Sequence, residues 1–309
     1  MSTHKTTANK ETILAFLKED FSPDISNFET ITGGEGSQAY SFRSNDREYI
    51  IRINKHYTLG FRKDEYAFKN YDSLQIPIPE IYKIGKIDNE LRFCISQKVE
   101  GKILTSFSSE ENIAFLPSFF EVLDSIHNTD ISNYKGFGKW DSEGQGGKES
   151  WKEHVLGVDK YSKGSDDTPS LFETTFLEKD FWDTTYAQLT KLISYCPEEP
   201  YLVHGDYGFN NVLSDGIKIT GVIDWENSMY GDFLFDVAWL SFWSKKIDYE
   251  KLYLEHSVQK GMEIENYHER ILCYKVSIGL GSMSFFAYSD QKEKYDGAKK
   301  AIMDLLENA

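Results

Sequence analysis

His204-Gly205-Asp206-Tyr207-Gly208-Phe209-Asn210-Asn211, followed by Ile223-Asp224-Trp225, is the stretch from which fold and chemistry are both read. It places an aspartate, an asparagine five residues later, and a second aspartate eighteen residues after the first. Tyr201-Leu202-Val203 reads as an apolar strand ending just before the motif, and Asp224 ends the next apolar run. Phosphoryl transfer from a nucleoside triphosphate needs such parts. One carboxylate orients and deprotonates a hydroxyl, and an amide oxygen with a second carboxylate holds magnesium. Asp206 is therefore the candidate catalytic carboxylate, and Asn211 and Asp224 are the candidate Mg2+ ligands, with Asn210 a rival for the amide role. His204 reads as a packed residue bracing the loop rather than as a catalyst.

Upstream, the pattern is that of a small α+β lobe over residues 1–98. A first helix is expected over 10–19, with Ile13, Leu14 and Leu17 on one face. The loop Gly33-Gly34-Glu35-Gly36-Ser37 stands between two strands, where glycine lets backbone N–H groups approach phosphates. Gly34, Gly36 and Ser37 are its candidate nucleotide contacts. A turn at Ser44-Asn45-Asp46-Arg47 returns the chain into a strand over 48–54. In that strand Arg52 interrupts an apolar run and is suited to nucleotide phosphates. Its carboxylate partner would be Glu65 or Asp64, on a helix expected over 63–74 and stopped by Pro77 and Pro79. Two more strands are expected over 80–87 and 91–97. For the base, Ile31 and Ile50 offer an apolar roof and Leu213 and Ile223 a floor, and Gln97 to Val99 offer backbone groups to its edge.

Residues 99–309 read as a larger, mainly helical lobe. Ile113, Leu116, Phe120, Leu123 and Ile126 fall at helical spacing, with a kink or split expected at Pro117. The glycine-rich residues 135–150 read as a loop, 176–195 as an amphipathic helix, and the chain from 233 onward as mostly helix.

The net charge of −16 is unevenly spread. Residues 1–100 hold 14 Lys/Arg and 15 Asp/Glu, whereas 101–309 hold 20 and 35. Between His204 and Asp236 six acids face one base, Lys218. Such a surface repels nucleic acid and attracts cations. The first ten residues carry no apolar run, residues 276–288 are too short to span a bilayer, and no CxxC joins any of Cys94, Cys196 and Cys273. The expectation is a cytoplasmic monomer that binds neither membrane nor nucleic acid.

With these residues in place the chain resembles the aminoglycoside phosphotransferase family, whose fold is similar to that of protein kinases, and most resembles its hygromycin B-modifying branch. Beyond the two motifs, the likeness rests on residues 34–42, Arg52-Ile53-Asn54, Ile76-Pro77-Ile78-Pro79-Glu80, Cys94-Ile95-Ser96, Gly136-Phe137-Gly138 and Gly231-Asp232. The resemblance implies a bilobal α+β, protein-kinase-like fold and an ATP- or GTP-dependent O-kinase. Asp206 matches the catalytic aspartate, and Asn211 and Asp224 match the Mg2+ ligands. Arg52 stands where most of the wider family has lysine, which keeps the charge and changes the fork geometry. The implied acceptor is a small cationic antibiotic, an aminoglycoside or aminocyclitol, whose modification confers resistance. Its candidate contacts are Glu226, Asp232 and Glu307, although Asp232 and Asp236 also read as braces for the catalytic loop. A kinase of another small alcohol, such as a macrolide or choline, is the alternative, and a non-catalytic nucleotide-binding protein is a further one. The eight residues from Asp224 to Asp232 leave little room for a peptide platform, which disfavours a protein kinase.

Overall fold

The structure, a computed structural model, describes residues 6–32, 36–55, 58–164, 169–244 and 246–307. Gly34 of the glycine loop lies outside the described residues. The chain is β-rich in its N-terminal part and mainly helical in its C-terminal part.

Helix α1 (Lys10–Asp20) is capped by Asn9, whose side chain accepts the N–H groups of Glu11 and Thr12. A five-stranded antiparallel sheet follows, built from β1 (Ser26–Ile31), β2 (Gln38–Ser44), β3 (Arg47–Lys55), β4 (Ile81–Lys86) and β5 (Leu91–Gln97), in the order β1-β2-β3-β5-β4. Asn45 and Asp46 between β2 and β3 both take positive φ, +47° and +62°. That is the signature of a two-residue hairpin turn whose twist suits the strands. Alternation along β3 decides what each residue faces. Tyr49, Ile51 and Ile53 are buried with Tyr40, Phe42, Phe93 and Ile95 against Ile13 and Leu17 of α1, so Ile50 and Arg52 project from the opposite face. Helix α2 (Leu59–Tyr71) begins four residues before the expected start, at a turn in which Thr58 O accepts the Arg62 N–H.

Next come β6 (Lys102–Ile103) and α3 (Ser109–His127). The latter runs through Pro117 without the split expected there. The carbonyl that loses its donor belongs to Ile113, whose side chain is 61% exposed, so the defect falls on a solvated turn. Residues 135–150 are not the loop expected from their glycines. They form a hairpin, β7 (Phe137–Trp140) and β8 (Gly146–Lys148). The glycines serve close packing instead. Gly138 has φ +74°, and a Cβ there would lie 2.3 Å from His154 Nδ1.

Helices α4 (Trp151–Leu156), α5 (Lys160–Lys163), α6 (Leu171–Thr174) and α7 (Lys179–Leu192) lead to β9 (Tyr201–Val203). Then come β10 (Val212–Ser214), β11 (Ile219–Val222) and β12 (Met229–Gly231). Helices α8 (Leu234–Trp243), α9 (Tyr249–Gln259), α10 (Tyr267–Tyr288) and α11 (Lys292–Glu307) complete the chain. Helix α10 begins well upstream of residue 276. By length and composition it is apolar enough to cross a membrane, but 67% of its apolar window is buried within the protein.

Contacts divide the chain into two compact units. Unit one comprises Met1–Val122, Asp141–Gly144 and Phe209–Asn227, and unit two the remainder. The cut does not follow residue 98. The β10–β11 hairpin joins unit one because β10 pairs with β6 and Val222 N–H donates to Pro77 O at 2.7 Å. In unit two, β7, β8, β9 and β12 form a sheet of order β8-β7-β12-β9.

Candidate active site

Successive residues of α2 organise the nucleotide side of the site, all within unit one. Asp64 Oδ2 accepts Arg52 Nη2 at 2.5 Å, and its other oxygen accepts the Trp225 N–H at 2.9 Å. Lys63 Nζ donates to Glu226 O at 2.5 Å. One helical turn thus ties the strand cation to the backbone immediately after Asp224. Arg52 also lies over the Phe61 ring, 5.2 Å from its centroid. Burial, the largest single influence, works against the Arg52 charge, but attraction and hydrogen bonding to Asp64, with Cys94 and Asp224 adding, together outweigh it and hold the pKa above the ordinary value. Burial pushes the neighbouring Cys94 thiol up to about 11, so the sulfur stays neutral beside the guanidinium. Of the two acids offered as Arg52's partner, Asp64 takes the role. Glu65 pairs instead with Lys69 at 2.7 Å and Arg62 at 3.4 Å, because adjacent helical residues point about 100° apart.

A solvent-connected cleft opens on this ion pair. Ile50, Arg52, Gln97, Val99, Leu213, Ile223 and Asp224 line it. Asp64, Ile78, Pro79, Ile81, Ser96 and Trp225 line it as well. The signal for Ile78 and Pro79 was the Pro-Ile-Pro run, which Val222 ties to the floor through Pro77. Ile31, Gly36 and Ser37 do not line the cleft; Ser37 donates to Asn54 Oδ1 at 2.6 Å. Two N–H groups of the expected base-edge segment are already committed, Gln97 to Glu80 O and Lys98 to Glu48 O.

Asn211 and Asp224 belong to the same hairpin, and Ile223 N–H donates to Asn211 O at 2.9 Å. Asn211 is buried, at 5% exposure, whereas Asn210 is exposed. Asp224 has φ +67°, a left-handed conformation costly for a side-chain-bearing residue and typical of functional positions. One carboxylate and one amide oxygen suit Mg2+, which keeps waters and takes phosphate oxygens rather than an all-protein cage. No cluster of three or more His, Cys, Asp or Glu side chains able to hold a metal occurs among the described residues.

Asp206 lies in unit two, in the loop after β9, and is half-buried. Its N–H points to His204 Nδ1 at 3.3 Å. Gly205, at φ +76°, turns the backbone as few other residues can. Asp236, on α8 and fully buried, accepts the N–H groups of His204 at 3.0 Å and Gly205 at 2.8 Å. It also meets His127 Nε2 at 3.0 Å, a partner 109 residues away with no sequence signal.

The acceptor candidates fare differently. Asp232 is 0% exposed and saturated. Arg270 donates to both its oxygens at 2.8 and 2.6 Å, Tyr274 OH at 2.5 Å and the Leu234 N–H at 3.1 Å. It is a brace and is not available to a ligand. Glu226 belongs to unit one and packs on α2, its Oε2 2.9 Å from where a Gly60 Cβ would stand. Glu307 is exposed in the last turn of α11.

The family described as "Phosphotransferase enzyme family" matches residues 27–259. The hygromycin-B 4-O-kinase of Escherichia coli is 31% identical over 272 residues, which is 87% of this chain and 76% of that protein. The crystal structure of aminoglycoside phosphotransferase APH(4)-Ia is similar with a TM-score of 0.84 at 27% identity, covering 97% of this chain and 99% of that one. A thermostable mutant of APH(4)-Ia in ternary complex with AMP-PNP and hygromycin B gives a TM-score of 0.82 at 27% identity, covering 96% and 98% of the two chains.

Proposed function

The chain belongs to the phosphotransferase enzyme family, and on that footing we propose that it transfers the γ-phosphoryl group of ATP to a hydroxyl of hygromycin B or a closely similar aminoglycoside, conferring resistance. One observation carries this reading. A cleft that presents Arg52, Asp64 and Asp224 together occurs in a chain that keeps Asp206 and Asn211 at the motif spacing.

Each residue has a role that its surroundings support. Arg52, aligned by Asp64, pairs with the nucleotide phosphates, and Ile50, Val99, Leu213 and Ile223 pack on the base. Asn211 and Asp224 would hold Mg2+, which when bound would neutralise charge on the triphosphate. Asp206 accepts the hydrogen bond of the acceptor hydroxyl and takes its proton. The oxygen–phosphorus bond forms as the bond from the γ-phosphorus to the bridging oxygen breaks, and ADP leaves. The excess of acids over residues 101–309 favours a polycationic acceptor. In this reading residues 1–98 form the nucleotide-binding lobe, residues 99–309 carry the catalytic loop, the metal ligands and the acceptor site, and the protein acts as a cytoplasmic monomer without nucleic acid or membrane partners. GTP in place of ATP is decided by the same assay.

The test is incubation of purified protein with ATP-Mg2+ or GTP-Mg2+ and hygromycin B, with mass detection of a phosphorylated antibiotic. Expected is stoichiometric product and ADP. Turnover on choline or a macrolide with none on hygromycin B would overturn the acceptor assignment and leave the kinase standing.

A further inference from the structure

His127 ends α3 and is 5% exposed. Its Nε2 lies 3.0 Å from Asp236 Oδ2. That oxygen also accepts the His204 N–H, and Oδ1 accepts the Gly205 N–H. Among the described residues His127 Nδ1 has no hydrogen-bond partner. Only Nε2 meets a partner, and a carboxylate oxygen can only accept, so the hydrogen bond that fits has Nε2–H donating to Asp236. The carboxylate then takes three donors, and it cannot rotate without losing at least one of them. Two of those donors are the backbone N–H groups that directly precede Asp206. All of these groups belong to unit two.

We propose that His127 is a positioning residue for phosphoryl transfer: it locks the rotamer of Asp236, and Asp236 fixes the backbone that aims Asp206. The proposal rests on Asp206 being the carboxylate that receives the acceptor proton. A packing role alone would require only shape, since the ring also sits 5.5 Å from that of Phe233. A positioning role requires an N–H at the Nε2 position. Leucine keeps bulk without the donor, and glutamine supplies an N–H of similar reach.

The experiment compares full-length wild type, H127L, H127Q and D206N by amide hydrogen exchange of the peptide over 203–208 and by steady-state kinetics with hygromycin B and ATP-Mg2+. In H127L the His204 and Gly205 amides should exchange at least about tenfold faster. Its kcat should fall about ten- to a hundredfold, with KM for either substrate within about twofold. H127Q should restore slow exchange and most of kcat. D206N should lose turnover at wild-type exchange. Wild-type exchange and kcat in H127L, a loss expressed only in KM, or a glutamine variant as impaired as leucine would each overturn the proposal. Should H127L not fold, H127N replaces it, being polar but too short to reach Oδ2. If the wild type itself shows no turnover with hygromycin B, the acceptor assignment falls, while exchange in H127L and H127Q still decides whether His127 holds the loop.

Discussion

Arg52 and Arg270 are each held by an aspartate, yet only one of the two pairs keeps its cation within reach of a ligand. The Arg52 side chain is 24% exposed and lines a cleft, whereas Arg270 is 7% exposed and its partner Asp232 is fully buried. Asp64 spends one oxygen on Arg52 and the other on the Trp225 N–H, so the guanidinium has N–H groups to offer a phosphate. Asp232 takes both prongs of Arg270 together with Tyr274 and Leu234. Burial raises the Tyr274 phenol well above its ordinary pKa and Asp232 adds to the shift, so the tyrosine stays a donor. The same pair of residue types opens on a cleft in one place and is sealed inside the fold in the other. Accessibility of the cation decides which.

The sharpest way to break this contrast is Asp232→Ala. It leaves a guanidinium buried without its counter-ion and should cost about 3–5 kcal/mol, read as a lower denaturation midpoint. A loss near zero would mean that the sealed pair is not a brace. Next is Asp206→Asn, which should lower kcat at least about a hundredfold with ADP affinity and stability unchanged. Comparable turnover in this variant would remove Asp206 from the chemistry.

The closed character of unit two also predicts a pH dependence. Burial, with Lys139 and Lys148 nearby, lowers the His154 pKa from 6.5 to about 4. The unfolded chain then binds this proton before the folded one does, so stability falls as pH drops from 6.5 towards 4. The loss should approach about 3 kcal/mol and be smaller in His154→Gln, followed by urea unfolding across that range. An unchanged slope in the variant would assign the dependence elsewhere. The smallest effect is Arg52→Lys. The charge survives and the fork is lost, so KM for ATP should rise about tenfold with little change in midpoint. A large drop in stability instead would make Arg52 a second brace like Arg270.

Much of unit one was legible because its signals are local. Alternation in β3 put Arg52 opposite the α1-facing core, and Asn45-Asp46 announced the turn. Ile50, Gln97, Val99, Leu213 and Ile223, expected around a nucleotide, and Asp224, expected on Mg2+, line one cleft. The hairpin over 137–148 was missed because its glycines read as breakers, whereas Gly138 is required by the ring of His154. Glu65 was offered as a partner for Arg52, and Asp232 as a ligand contact, because sequence shows charge and not what quenches it.

Sequence by itself pointed to the chemistry: a carboxylate, an amide and a second carboxylate at short separations along the chain, a spacing that fits phosphoryl transfer. Only the tertiary structure decided which acids stay open. Asp64 rather than Glu65 meets Arg52, and Asp232 disappears beneath Arg270. The reason is that solvation and pairing of a charge depend on residues brought from far along the chain, such as His127 beside Asp236, and no local pattern encodes those neighbours.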